Sequence, residues 1–473
     1  MLFTNGNYFV FLAAVFFAYW LLARRRVPIL FLLVASYYFY ALWNPKFLVL
    51  IFLLSTIDFL VAVGLGGNRS RIIRKLLVTV SVMTDVGVLF VFKYFDFFSN
   101  SFAELLSKTG WHLSAYSLGT LILPLGLSFI TFRSLSYVVD VYRGQIRPTA
   151  RYFDYLTYVA FFPTVIAGPI VRAGDLLPQF RTRPALTSEQ GTRAMFLIMI
   201  GLVKKIAIAD FLGYNLVDRV FDQPQLYSSL ETLAAIYGYA LQIYCDFSGY
   251  SDIAIGSALL LGFKLPLNFD SPYRARDLRD FWRRWHISLS TWLFDYVYVS
   301  LGGLRKRRFN LYRNLILTFL VGGLWHGAAW TFVIWGGLHG LGLSANHWWA
   351  QLRKRSGVIA RRGRWSNIIG VFLTFHFVCL TWVVFRAQSL AHARQVLGRL
   401  AAMQFGHGNL SAPILLVLAV AYLSHWTPKR LTERLDITWA WLPAPAQAVV
   451  ILSVALGLYY VAGAEAQFIY GNF

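Results

Sequence analysis

Acidic residues are scarce in this chain: 21 Asp and Glu stand against 44 Lys and Arg, and the four types together make only 14% of 473 residues. A soluble domain carries about 25% charged residues, so a mainly water-facing surface is excluded. Cysteine is nearly absent. The two present, Cys245 and Cys379, exclude a disulfide framework and a cysteine-rich metal site. There is no phosphate-cradling GxxxxGK[ST] loop, no HExxH pair and no GxSxG elbow, which removes the common signatures of nucleotide, zinc-peptidase and serine-hydrolase chemistry.

What is present is hydrophobic: 58% of the residues, 17% aromatic. Apolar runs of about 18 residues or more recur along the length, each long enough to cross a ~30 Å hydrocarbon core. A membrane β-barrel would instead alternate apolar and polar residues in short strands. The expected fold is all-α, a polytopic transmembrane helical bundle of about 10–12 membrane segments. We read it as one integral-membrane domain over residues 1–473, with a motif-bearing core at 120–390 and C-terminal helices at 410–465. The opening MLFTNGNYFVFLAAVFFAYWLLA has no basic leader or small-residue cleavage site and reads as the first span.

The net charge of +23 invites a nucleic-acid partner, but its distribution argues against one. The basic residues cluster between apolar runs, at Arg24–Arg26, Arg69–Lys75, Arg305–Arg308, Arg353–Arg364 and Lys429–Arg434. That is the pattern of cytoplasmic loops, with contact to anionic membrane lipid as the second use. Placing these clusters inside puts both termini on the outer side of the membrane. The same alternation ends a span near residue 95 and leaves Ser99–Ser117 outside.

Two segments, Pro124–Phe132 and FFPTVIAGPIVR (161–172), put proline and glycine among apolar residues. Such breaks are tolerated where the freed backbone is buried in protein or lines a cavity, so broken or re-entrant helices around a tunnel are expected. IYCDFSGYSDIAIGSALLLGF (243–263) carries Asp246, Ser248 and Asp252 inside an apolar run. Nothing adjacent completes a metal site or an acid/base pair. The simpler reading is that the two carboxylates cap helix ends or pair with buried arginines. LNFDSPYRARDLRDFWRRWH (267–286) is too charged to span and reads as a basic amphipathic helix at the cytoplasmic interface, its tryptophans at headgroup level.

The polar chemistry concentrates between Asp280 and Gly340, around His286 and His326. A lone histidine in an apolar helix is more often a packing residue, and His339, His347 and His376 are read that way. His326 differs, because Gly322, Gly323, Trp325 and Gly327 surround it and charged residues are distant in sequence. It follows Arg308 by 18 residues, about 27 Å of helix at ~1.5 Å per residue, which reaches deep into the bilayer. A neutral imidazole there can take a proton from a hydroxyl. His286 could orient a group at the mouth of the same cavity; it could equally be a structural partner for an aspartate.

The stretches FWRRWHISLSTWLFDYVYVSLGG and GGLWHGAAWTFVIWGGLHG resemble the membrane-bound O-acyltransferase (MBOAT) family. YCDFSGYSDIAIG, FPTVIAGPI and YVVDVYRG resemble its bacterial, polysaccharide-acetylating branch. The resemblance runs from near the N-terminus to about Arg386. It implies that His326 and His286 are the catalytic positions. Trp325, Gly323, Gly327, Trp285, Ser288, Asp246 and Ser248 are then candidates to line a tunnel. The substrate would be acetyl-CoA or another acyl thioester, with no bound cofactor and no metal, since a thioester is already activated. Arg279, Arg283 and Arg284, with Arg274 and Arg276 beside them, could attract the donor's phosphates or serve only as positive-inside anchors. The resemblance further implies a bacterial inner-membrane location and a secreted SGNH-type partner. The product would be an O-acetylated extracellular polysaccharide such as alginate or cellulose. Peptidoglycan or teichoic-acid acylation, a lipid or protein acyltransferase, and a non-catalytic transporter are the alternatives.

Overall fold

The protein is described here from a computed structural model covering residues 3–23, 28–67, 69–111, 114–119, 121–303, 308–355, 363–462 and 469. The basic clusters Arg24–Arg26 and Arg305–Arg307, and the C-terminal Gly471, lie outside the described residues. All regular secondary structure among the described residues is helical, as the unbroken apolar runs require when no water is there to satisfy the backbone. Among the described residues, four helices have the length and apolarity to cross a membrane: Lys46–Gly66, Arg71–Ser107, Arg364–Arg386 and Ala444–Val461. Three shorter apolar helices, Gly6–Leu22, Pro28–Ala41 and Ala412–Trp426, accompany them. The chain forms two compact units, residues 1–187 with 257–266, and residues 188–256 with 267–473.

In the first unit the helix that starts at Arg71 does not end near residue 95. It passes through a π-helical turn at Phe90–Tyr94 and continues to Ser107, because Phe95, Phe98, Phe102 and Leu105 recur at helical spacing. The proline-bearing segment does break. Tyr152–Ala160 stops and a single turn, Phe162–Val165, restarts after Phe161. The freed carbonyls are answered by Arg133, fully buried on the Leu127–Tyr142 helix. Its guanidinium donates to the carbonyls of Val159 at 3.1 Å, Tyr158 at 3.4 Å and Thr164. One planar cation with five N–H groups thus does the work of a lost helical turn.

In the second unit the Ser188–Leu202 helix runs on through a π-helical stretch, Val203–Asp210, beside the long Ser229–Leu260 helix. The backbones touch at Gly201 and Gly249, where a Cβ on Gly249 would come within 2.7 Å of the Gly201 carbonyl oxygen. This approach sets two lysines against the two aspartates. Lys204 Nζ lies 2.6 Å from Asp252, and Lys205 Nζ lies 2.8 Å from Asp246 and 2.6 Å from Asp210. The carboxylates are therefore ion-paired, but with lysines rather than arginines. Neither caps the helix that carries it, because both sit in the body of a 32-residue helix.

The Arg308–His326 and Trp330–Arg355 helices form a tight hairpin joined at Gly327–Ala329. Gly323 and Gly336 face each other across it, and any side chain on either would run into the facing helix backbone. His326 is the last residue of the first arm.

Candidate active site

His326 is 1% exposed, and three aromatic rings box its imidazole. Trp325, Trp335 and Phe385 lie at 5.0, 5.1 and 5.2 Å between centroids, each near perpendicular to it. Trp335 stacks in turn on Trp382, so the Trp330–Arg355 and Arg364–Arg386 helices both contribute to the box. The glycines beside His326 are committed to packing: Gly323 to the helix contact, and Gly327 to the ring of Phe332.

His286 arrives from a different element. Asp277 caps the short helix Leu278–Trp282 by accepting from Asp280 N–H, and the chain then turns through His286 into the Ile287–Trp292 helix. His286 holds a left-handed backbone, φ 40° and ψ 56°, which costs a non-glycine residue about 1–3 kcal/mol and persists only when its surroundings enforce it. The imidazole is fully buried, with Phe247 at 4.6 Å and Trp325 at 5.9 Å. Trp325 therefore touches both histidines and links them into one site. Ser288 joins through Asn268, and Trp285 stacks on Phe281 behind His286. Asp246 and Ser248 flank Phe247 on the Ser229–Leu260 helix, both buried. Asp246 is held by Lys205 and accepts from Ile469 N–H at 2.9 Å.

The 267–286 segment differs from a headgroup-level amphipathic helix. Trp282 and Trp285 are 7% and 0% exposed, and their rings wall the site from inside the protein. Among the arginines, Arg284 is consumed by structure: it pairs with Asp280 at 2.7 Å and Asp270 at 3.5 Å. Arg274 donates to the Thr427 carbonyl. Arg279 and Arg283 instead line a cleft of about 580 Å³ whose other walls include Ile287, Leu293, Phe294, Leu311, Leu315 and Phe319. Trp282 also lines this cleft and packs on Trp335 at 5.8 Å. A single aromatic layer thus stands between the cleft and the ring box around His326.

The histidines read as packing residues have ordinary partners. His339 accepts from Trp282 Nε1–H and meets Thr381 Oγ1 at 3.0 Å. His347 contacts Arg279 and Gln351, and His376 contacts Tyr237 and the Phe372 carbonyl. Sequence reasoning missed Asn268, Trp335, Trp382 and Phe385; the first sits in an unremarkable loop, and the others look like any apolar helix face. Among the described residues no three His, Cys, Asp or Glu side chains gather as a metal would require.

The MBOAT, membrane-bound O-acyltransferase family, matches residues 145–387. The chain is 41% identical over 408 residues to the probable alginate O-acetylase AlgI of Pseudomonas aeruginosa, covering 86% of this chain and 75% of that protein. It is 37% identical over 419 residues to the peptidoglycan O-acetyltransferase of Helicobacter pylori, covering 82% and 77%. The teichoic acid D-alanyltransferase of Bacillus subtilis is 29% identical over 286 residues, covering 58% and 71%.

Proposed function

The chain belongs to the membrane-bound O-acyltransferase family, and from that premise we propose that it moves an acetyl group from a cytoplasmic thioester to the hydroxyl of a polysaccharide outside the membrane. The observation that carries this reading is the pair His326 and His286, buried at the ends of different elements and joined by Trp325. Acyl transfer from a thioester needs a base near the acceptor hydroxyl and donors for the developing oxyanion. His326 takes the hydroxyl proton as the oxygen attacks the thioester carbonyl. The C–S bond then breaks, and the proton passes to the leaving sulfur, giving an ester and a thiol. His286 is the second polar group at the reacting atoms. The surrounding aromatic rings exclude water, which would otherwise compete for the acyl group.

The donor would enter by the cleft beside Arg279 and Arg283, phosphate at the arginines and thioester arm along the apolar wall. The probable alginate O-acetylase named above supports alginate or a similar exopolysaccharide as the final acceptor, and in this proposal a secreted SGNH-type protein would complete the transfer. The location would be the bacterial inner membrane, with both termini on the outer side.

Oriented vesicles test the direction. Acetyl-labelled thioester supplied to inside-out vesicles should label polymer on the opposite face, and the same donor supplied to right-side-out vesicles should not. Labelling only from the right-side-out face would overturn the proposal.

A further inference from the structure

His286 is held through one asparagine. Asn268 is fully buried, and its Oδ1 faces three groups: Ser288 N–H at 3.3 Å, Ser288 Oγ at 2.9 Å and His286 Nδ1 at 3.1 Å. Its Nδ2 donates to Ser251 Oγ at 3.1 Å, and its main-chain carbonyl accepts from Ile287 N–H at 2.9 Å. The same residue therefore holds both the His286 ring and the chain that leaves the left-handed turn.

This arrangement decides a proton. A backbone amide can only donate, so the asparagine atom facing Ser288 N–H is the carbonyl oxygen, whichever way a side-chain amide could otherwise be turned. An amide oxygen only accepts, so the His286 Nδ1 facing it carries hydrogen. The lone pair of the neutral ring is then on Nε2. We propose that Asn268 is a positioning residue that fixes His286 as the Nδ1–H tautomer, leaving the lone pair on Nε2 to accept a hydrogen bond at the reacting atoms while His326 takes the proton. The inference rests on the part given to His286 under the proposed function.

The rings packed on His286 are Phe247, Phe269 and Trp325. The titratable groups next to them in sequence are Asp246, paired with Lys205, Asp270, paired with Arg284, and His326.

The test uses the full chain in membranes and follows acetyl transfer against pH. Asn268→Leu removes the acceptor and should lower kcat about 10–100-fold, the size of loss seen when a metal-bound histidine loses the partner that orients it, with donor KM unchanged. Asn268→Asp keeps an accepting oxygen on Nδ1–H. It should retain most of the rate and move the acidic limb of the kcat profile to higher pH, because a negative partner favours the imidazolium. In His286→Ala, adding Asn268→Leu should cause no further loss, since a residue acting through the ring has nothing left to act on. Asn268→Leu within about threefold of the parent rate would overturn the proposal, as would an unshifted profile for Asn268→Asp. If Asn268→Leu fails to insert, the Asn268→Asp profile decides alone. An active His286→Ala would sink the role of His286 itself; an inactive His286→Ala beside an active Asn268→Leu would sink only the positioning.

Discussion

Two places in the second unit bury polar side chains, and they dispose of them in opposite ways. Along the Ser229–Leu260 helix, Asp246 and Asp252 meet Lys205 and Lys204, so charge cancels charge within ion-pair distance. At the end of the Arg308–His326 helix, His326 meets rings on three sides. Both places put polar atoms where water is scarce. The first spends its polar atoms on one another and holds two helices together. The second packs aromatic rings around a titratable one on three sides, which keeps water from it. Burial alone does not tell the two places apart; the chemistry of the neighbours does.

Substitutions at the two places should separate the effects. The largest is expected at His326. General-base assistance contributes about 10²–10⁴-fold, so His326→Gln should lose acetylation by that order while the protein inserts normally. Polysaccharide acetylation by membranes at matched expression measures it, and substantial activity from well-inserted His326→Gln would end the base assignment. Lys205→Met comes next and should act on stability instead. It strands Asp246 and Asp210 without their cation, and breaking a buried pair costs about 3–5 kcal/mol. Thermal unfolding in detergent should show a large loss. If that variant is stable but inactive, the contrast drawn above collapses.

Arg283→Ala should have a smaller and different effect. One charge-assisted contact is worth about 1.5–3 kcal/mol, so the apparent donor KM should rise about 10–100-fold with kcat little changed. Arg284→Ala should leave KM unmoved and reduce stability, since its guanidinium is spent on Asp270 and Asp280. Equal KM effects from the two would show that the cleft has no part in donor binding. The smallest effect is expected at His376, half a helix from the ring box and paired with Tyr237. His376→Gln should change the rate by less than about threefold.

Sequence legibility followed the range over which a residue acts. His286, His326 and Trp325 could be picked out because glycine and tryptophan crowd them locally, and the all-helical membrane fold followed from composition. Pairing was less legible. Asp246 and Asp252 looked like partners for arginine, but their lysines lie 41 and 48 residues earlier, brought in by a glycine contact between helices. Trp282 and Trp285 looked interfacial because arginines surround them. In the structure, the helical turn points Arg283 outward and both indoles inward. Asn268 gave no signal at all. Its role exists only where a loop folds back on the His286 turn, and no local pattern encodes that return.

The glycine contact at Gly323 and Gly336 has a mechanical consequence. Helices whose backbones meet cannot slide past one another without colliding, so a hairpin of this kind placed in a bilayer can meet a change in thickness only by tilting as one stiff body. Its two arms carry His326 and Trp335, which keep their spacing whatever the tilt. Reconstitution in lipids of graded chain length should therefore change how readily substrates reach the site, while the elasticity of the membrane leaves the spacing of His326 and Trp335 untouched.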